Sequence, residues 1–226
     1  MERNPIAITQ TGTARESALT TNRVLRNTYL LLGATLAFSA AVCWLALALN
    51  LPHPGLLITL VGYFALLFAV YKTANSALGL VFVFALTGFL GYTLGPIIGF
   101  YLQAIPNGHF VVLTSLASTA VVFFSLSAYV IRSGERFTFL GGFLAVGIVT
   151  AFLLGLVAIF FQMPYLSLAV SGAFVLLASG LILYQTGEII HGGETNYILA
   201  TVTLYVSIYN LFSSLMHLLG AAGGDD

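Results

Sequence analysis

From about residue 28 the chain is a succession of long apolar runs separated by short polar breaks. The runs lie near 28–49, 56–71, 78–102, 110–131, 139–161, 165–187 and 196–219. A helix crossing the hydrocarbon of a bilayer needs roughly 20 apolar residues, and most of these runs reach that length. The breaks carry turn chemistry: Asn50-Leu-Pro-His-Pro-Gly55, Ala104-Ile-Pro-Asn-Gly108, Arg132-Ser-Gly-Glu-Arg136, Gln162-Met-Pro164 and His191-Gly-Gly193. Lys72-Thr-Ala-Asn-Ser76 is a polar break without Gly or Pro. The runs do not alternate polar with apolar residues, as the strands of a membrane barrel do. Helices satisfy their backbone groups within the segment, so they are the expected spanning element. The pattern predicts an all-α polytopic membrane protein of seven transmembrane helices.

Three regions follow: a flexible polar N-terminal tail over 1–26, a seven-helix transmembrane domain over 27–220, and a short acidic C-terminal tail over 221–226. The tail carries Arg15, Glu16, Arg23 and Arg26. No short apolar stretch near the start is followed by a small-residue cleavage site, so the first helix is expected to be retained.

Composition sharpens this picture. Of 226 residues, 59% are hydrophobic and only 6% charged, against about 25% charged in an ordinary soluble domain. The net charge is zero, which argues against a nucleic-acid partner, since such a partner needs a basic footprint. The single cysteine, Cys43, cannot form an internal disulfide. Basic residues set the orientation, because Lys and Arg favour the cytoplasmic side of short loops. Arg3, Arg15, Arg23 and Arg26 precede the first helix, Lys72 follows the second, and Arg132 and Arg136 follow the fourth. With seven spans these all fall on one face. The expected arrangement is a cytoplasmic N-terminus and a C-terminus on the other side.

Lipid gives helices little hydrophobic reason to associate, so small residues at close contacts matter. Gly88, Gly91, Gly95 and Gly99 lie on one face of the third span, with Pro96 beside them. They are read as a packing face, with a hinge or cavity wall as the alternative. Gly147, Ala151 and Gly155 form a similar face in the fifth span.

The last span is the most informative. Steps of four and three give Asn196, Ala200, Thr203, Ser207, Asn210, Ser214 and His217, all on one face and all but one polar. Facing lipid, that stripe would be costly, so the last helix is expected at the centre with the other six around it. Two readings of the stripe stay open: an interhelical hydrogen-bonding face, or a lining for ion or proton movement. Glu188 and His191 lie one turn apart near the end of the sixth span, but Gly192-Gly193 ends the helix there, and no second Glu-x-x-His supplies further ligands. That segment reads as a polar helix exit, with Thr195 or Asn196 capping the next helix. No metal or cofactor site is expected. No nucleophile, base and orienter can be assembled from four scattered histidines and one cysteine, so an enzyme is not expected either.

Several of these stretches are similar to a known family. Thr87-Gly-Phe-Leu-Gly-Tyr-Thr-Leu-Gly-Pro-Ile97 resembles a hallmark of the Bax-inhibitor-type membrane proteins, the transmembrane Bax inhibitor motif family. Val24-Leu-Arg-Asn-Thr-Tyr29, Tyr71-Lys-Thr-Ala-Asn75, Phe139-Leu-Gly-Gly142, Ile189–Ile198 and Leu204–Phe212 look like its bacterial YccA-like branch. The likeness covers nearly the whole chain after about Thr21. It implies a seven-helix bundle with the last helix central, placement in the bacterial inner membrane, and association with FtsH, a membrane-bound ATP-dependent protease whose action it would restrain. It also implies that the cytoplasmic tail is what the protease grips when the protein is itself degraded. A second family activity is a pH-sensitive calcium leak, in which two aspartates on the last two helices share a proton. Those positions fall on Gln185 and Ser207, and neither is acidic, so the latch is not expected to work here in that form. Glu188, one turn from Gln185, is the alternative carboxylate. The candidate polar core or pore lining is therefore Gln185, Glu188, Asn196, Thr203, Ser207, Asn210 and Ser214.

Overall fold

The structure is a computed structural model that describes the backbone of residues 5–223 and the side chains of residues 21–223. Among the described residues it is all helix: α1 (Pro5–Ala48), α2 (Leu56–Thr73), α3 (Ala77–Ala104), α4 (Gly108–Ser133), α5 (Leu140–Phe160), α6 (Pro164–Ile190) and α7 (Tyr197–Ala222). Each is long and apolar enough to cross a membrane, α1 through its stretch Thr21–Ala48. The chain is thus a multi-pass, seven-helix membrane bundle. The spans match those read from the hydrophobic runs to within a few residues at most ends. The first differs: α1 continues back through the polar arm as far as Pro5. Residues 1–4, and 224–226 of the acidic tail, lie outside the described part.

The turns close locally. The α4 helix ends on Gly134, at φ 65°, whose N–H bonds the Val130 carbonyl; only glycine adopts that left-handed conformation freely. Pro164 opens α6 in the first turn, where its missing N–H costs nothing. Pro96 lies inside α3, which stays helical through it.

The last helix is the axis of the bundle. α7 packs against α1, α2, α3, α4 and α6. Of its apolar stretch 56% is buried, against 6–39% for the other spans. Leu204, Leu211 and Ile198 join Val83, Leu86, Val70 and Ile182 in the main core. Around this axis α3 lies on α1 through its glycines. A methyl group added at Gly88 would meet the Phe38 ring, at Gly91 the Ser39 carbonyl, at Gly95 the Ala46 methyl, and at Gly99 Leu47. Gly147 and Gly155 of α5 likewise turn toward Leu177 and Val170 of α6. α5 sits at the periphery, packed along α6, and reaches α2 through the edge-on pair Phe64–Phe152 at 5.8 Å.

One end of the bundle gathers the N-terminal side of the first span and the α2–α3, α4–α5 and α6–α7 turns. His191 bridges to Gly134, Asn196 bridges to Asn75, and Gly192 lies near Thr21. Arg23, Arg26, Lys72, Arg132 and Arg136 all belong to these segments, so this is the basic end.

Candidate functional site

The polar stripe of α7 resolves into three environments. At the basic end Asn196 caps the helix. Its Oδ1 accepts from the Ile198 N–H at 2.9 Å and the Leu199 N–H at 3.3 Å. Its Nδ2 donates to the Ala74 carbonyl at 3.1 Å and to Asn75 Oδ1 at 2.9 Å. One side chain thus starts the central helix and ties it to the α2–α3 turn. The Asn196 N–H in turn donates to Glu194 Oε1 at 2.7 Å.

In mid-bundle, Thr203, Ser207 and Asn210 line a cavity of about 190 Å³ between α2, α5, α6 and α7. Its other walls are Tyr63 and Tyr71 of α2, Ile148 of α5, and Phe174, Leu177 and Leu181 of α6. Ser207 is almost fully buried and donates to its own helix, at the Thr203 carbonyl, at 2.8 Å. No charged side chain lines this space. Hydroxyls and one amide can hold a few waters or offer neutral oxygens to a cation, but they supply no counter-charge.

Toward the other end Ser214 is buried. His217 meets Ser171 Oγ of α6 through Nδ1 at 2.8 Å. This part of the stripe acts as an α6–α7 hydrogen-bonding face.

The remaining candidates do not join the cavity. Gln185 is buried in α6, and its Nε2 has no partner among the described residues. It is not among the residues lining the space beside Ser207. Glu188 folds its carboxylate over Gly193, and its carbonyl accepts from the Gly193 and Glu194 N–H groups. His191 points both ring nitrogens at carbonyls, Gly187 at 2.8 Å and Gly134 at 3.0 Å. Glu188 and His191 therefore secure the α6–α7 turn. No group of three or more His, Cys, Asp or Glu side chains converges among the described residues.

Two features escaped the sequence reading. Tyr205 and Tyr209, on a different face of α7, cross-link it to the α1–α3 pair. The Tyr205 hydroxyl lies 2.6 Å from Ser39 Oγ and donates to the Thr87 carbonyl at 3.2 Å. The Tyr209 hydroxyl lies 3.1 Å from Thr93 Oγ1. The signal was present in their spacing of four within an apolar helix, since a buried tyrosine hydroxyl needs a partner. The two tyrosines of α2 that wall the cavity gave no comparable signal, because α2 reads as uniformly apolar.

A family model described as inhibitor of apoptosis-promoting Bax1 matches residues 21–224. A protein of Escherichia coli strain K12 named modulator of FtsH protease YccA is 54% identical over 212 residues, covering 93% of this chain and 95% of its own. The relative in Escherichia coli O6:H1, with the same identity and coverage, is named inner membrane protein YccA. An uncharacterized protein of Pseudomonas aeruginosa is 54% identical over 203 residues, covering 90% of this chain and 91% of its own. With the match running through all seven spans, the chain belongs to the Bax1-inhibitor family of membrane proteins.

Proposed function

We propose that this protein resides in the inner membrane and modulates the FtsH protease without catalysing a reaction itself. The observation that carries this reading is the 54% identity, over 93% of the chain, to a relative named for that modulation. Two structural features support its place in a membrane. Outward faces of α2 and α5 carry Val61, Phe64, Phe68, Phe143, Val146 and Val149, all exposed, which suits a surface bathed by acyl chains. The five described basic residues share one end, which favours a cytoplasmic N-terminus, with the C-terminus across the membrane. On this reading the N-terminal arm, helical from Pro5 onward, is a cytoplasmic handle within reach of the protease.

The test has two parts. The full chain, tagged and extracted from membranes in mild detergent, should co-purify FtsH. Deleting residues 1–20 should slow its proteolytic turnover while the bundle stays folded. A truncated protein degraded at the normal rate would refute the handle, and failure to recover FtsH would refute the association.

The cavity beside Thr203, Ser207 and Asn210 favours a second reading, a leak path for calcium or another cation along the α7 stripe. Its neutral lining weighs against tight binding of a divalent ion. Calcium flux into liposomes containing the purified chain tests it. Flux abolished by Ser207→Leu or Asn210→Leu would support a leak, and absence of flux would exclude it.

A further inference from the structure

The basic end is not uniform. Of its cations the α4–α5 turn holds two, Arg132 and Arg136, on either side of Gly134. This turn is fixed in place. Gly134 takes φ 65° and donates its N–H to the Val130 carbonyl, its own carbonyl meets His191 Nε2 at 3.0 Å, and Phe137 lies beside Gly187 of α6. Both arginines are exposed. Glu135, the acid between them, is engaged elsewhere. Its Oε2 accepts from the Tyr129 hydroxyl at 3.0 Å, and its N–H donates to Ser133 Oγ at 3.3 Å. Among the described residues neither guanidinium has a carboxylate partner.

Apolar surface adjoins this charge. Tyr129, Phe137 and Phe139 form a chain of rings with centroids 6.3 and 6.4 Å apart. Phe139 is 75% exposed, and Ile131 and Phe143 are exposed with it. One corner of the bundle therefore joins two kinds of recognition. A guanidinium binds a phosphate through paired N–H groups, and the unpartnered rings suit acyl carbons. A free phosphate uses only the arginines. A zwitterionic lipid brings its own cation to its phosphate. An anionic phospholipid uses both features and brings no competing cation.

We propose that the α4–α5 turn is a binding site for one anionic phospholipid of the leaflet at the basic end. Arg132 and Arg136 hold its phosphodiester, and the first carbons of its acyl chains lie against Phe139 and Phe143.

Trp44 is the only tryptophan and belongs to the end of the first span remote from this turn, so it serves as the control. In a Trp44→Phe background, Phe139→Trp places an indole at the site. Each full-length protein is reconstituted into mixed phosphatidylglycerol and phosphatidylcholine vesicles, with bromine on the acyl chains of one lipid or the other. At equal mole fraction, brominated phosphatidylglycerol should quench the Phe139→Trp indole more strongly than brominated phosphatidylcholine, whereas Trp44 should not discriminate between them. Adding Arg132→Gln or Arg136→Gln should each lower the preference about fivefold, the factor that one cation gives near an anionic surface. Lys72→Gln and Arg26→Gln remove one cation from the same end and should leave the preference unchanged. The proposal is overturned if the two lipids quench alike, or if neither arginine variant lowers the preference. It is equally overturned if Lys72→Gln or Arg26→Gln lowers it as much, which would trace the preference to the general charge of this end. Loss of the preference in inorganic phosphate at constant ionic strength would assign the turn to a free anion and overturn the proposal as well.

Discussion

Substituting alanine at Gly91 or Gly95 should weaken the bundle through one seam, that of α1 on α3. At Gly95 the new methyl would lie 2.7 Å from the Ala46 methyl and 3.0 Å from the Cys43 carbonyl. Comfortable carbon contacts are about 3.5–4.0 Å, so α1 must retreat by about 1 Å. At Gly91 the obstacle is the Ser39 carbonyl, which is backbone and cannot swing aside. Overpacking of this kind costs about 1–3 kcal/mol. Alanine returns up to about 1 kcal/mol in helix propensity, leaving a net loss of up to about 2 kcal/mol. At about 2–4 °C per kcal/mol for a chain of this size, the melting temperature should fall by up to about 8 °C. Gly33→Ala and Gly172→Ala, where nothing lies within 4 Å of the added methyl, should be neutral or slightly stabilising. Cys43 is the sole thiol and its carbonyl lies at the seam, so thermal scanning in detergent with a thiol-reactive fluorophore reads the separation of α1 from α3 directly. The double variant should cost less than the sum of the singles, since one outward shift of α1 relieves both contacts. Gly91→Ala and Gly95→Ala proteins as stable as the Gly33→Ala and Gly172→Ala controls would refute the close-contact account of the seam.

Other substitutions address the links of α7. Asn196→Ala removes a helix cap worth about 1 kcal/mol and two interhelical bonds averaging about 0.6 kcal/mol each. It should therefore destabilise by about 2 kcal/mol in an SDS titration, whereas Asn196→Asp, which keeps the capping oxygen but loses both Nδ2 bonds, should cost about half as much. Tyr205→Phe deletes the bonds to Ser39 and to the Thr87 carbonyl and should cost about 1 kcal/mol in the same titration. Gly134→Ala forces a side chain onto φ 65° and should lower stability by about 1 kcal/mol, seen as faster proteolytic cleavage in the α4–α5 turn.

The architecture was legible because bilayer physics writes it in one dimension: run length gives the spans, and the small and polar residues give the faces that must turn inward. Thus the glycine series of α3 pointed to a close helix neighbour, and the α7 stripe pointed to a central helix. What the sequence could not say was which helix would meet each face. The glycines lie against α1, separated from α3 by α2 in the chain, and nothing in their spacing names that partner. The stripe read as one continuous face, yet its three parts meet three different surroundings. Asn196 meets a turn, Thr203 to Asn210 meet a cavity walled by α2 and α5, and His217 meets a serine of α6. Gln185 and Ser207 were paired through a family resemblance, but only Ser207 faces the cavity.

Polarity on the central helix is consequently a better guide to burial than to transport. Each α7 hydroxyl or amide that meets a neighbouring helix removes a reason for that helix to drift in lipid, where apolar surface alone gives no preferred mate. Tyr205 and Tyr209 hold α1 and α3 on one side, His217 holds α6 on another, and Asn196 fixes the α2–α3 turn. Thr203, Ser207, Asn210 and Ser214 show no such tie among the described residues; Ser207 donates within its own helix to Thr203, and the first three open onto the same small cavity. If any part of the stripe exists for something other than holding the bundle together, it is this cavity-lining part, in which the Thr203 and Asn210 side chains are the two without a hydrogen bond among the described residues. Replacing both with valine and leucine should leave the melting temperature within about 1 °C per residue, because neither side chain holds an interhelical hydrogen bond to lose. A loss of several degrees would show that these two residues also serve packing, and would leave the stripe without a functional remainder.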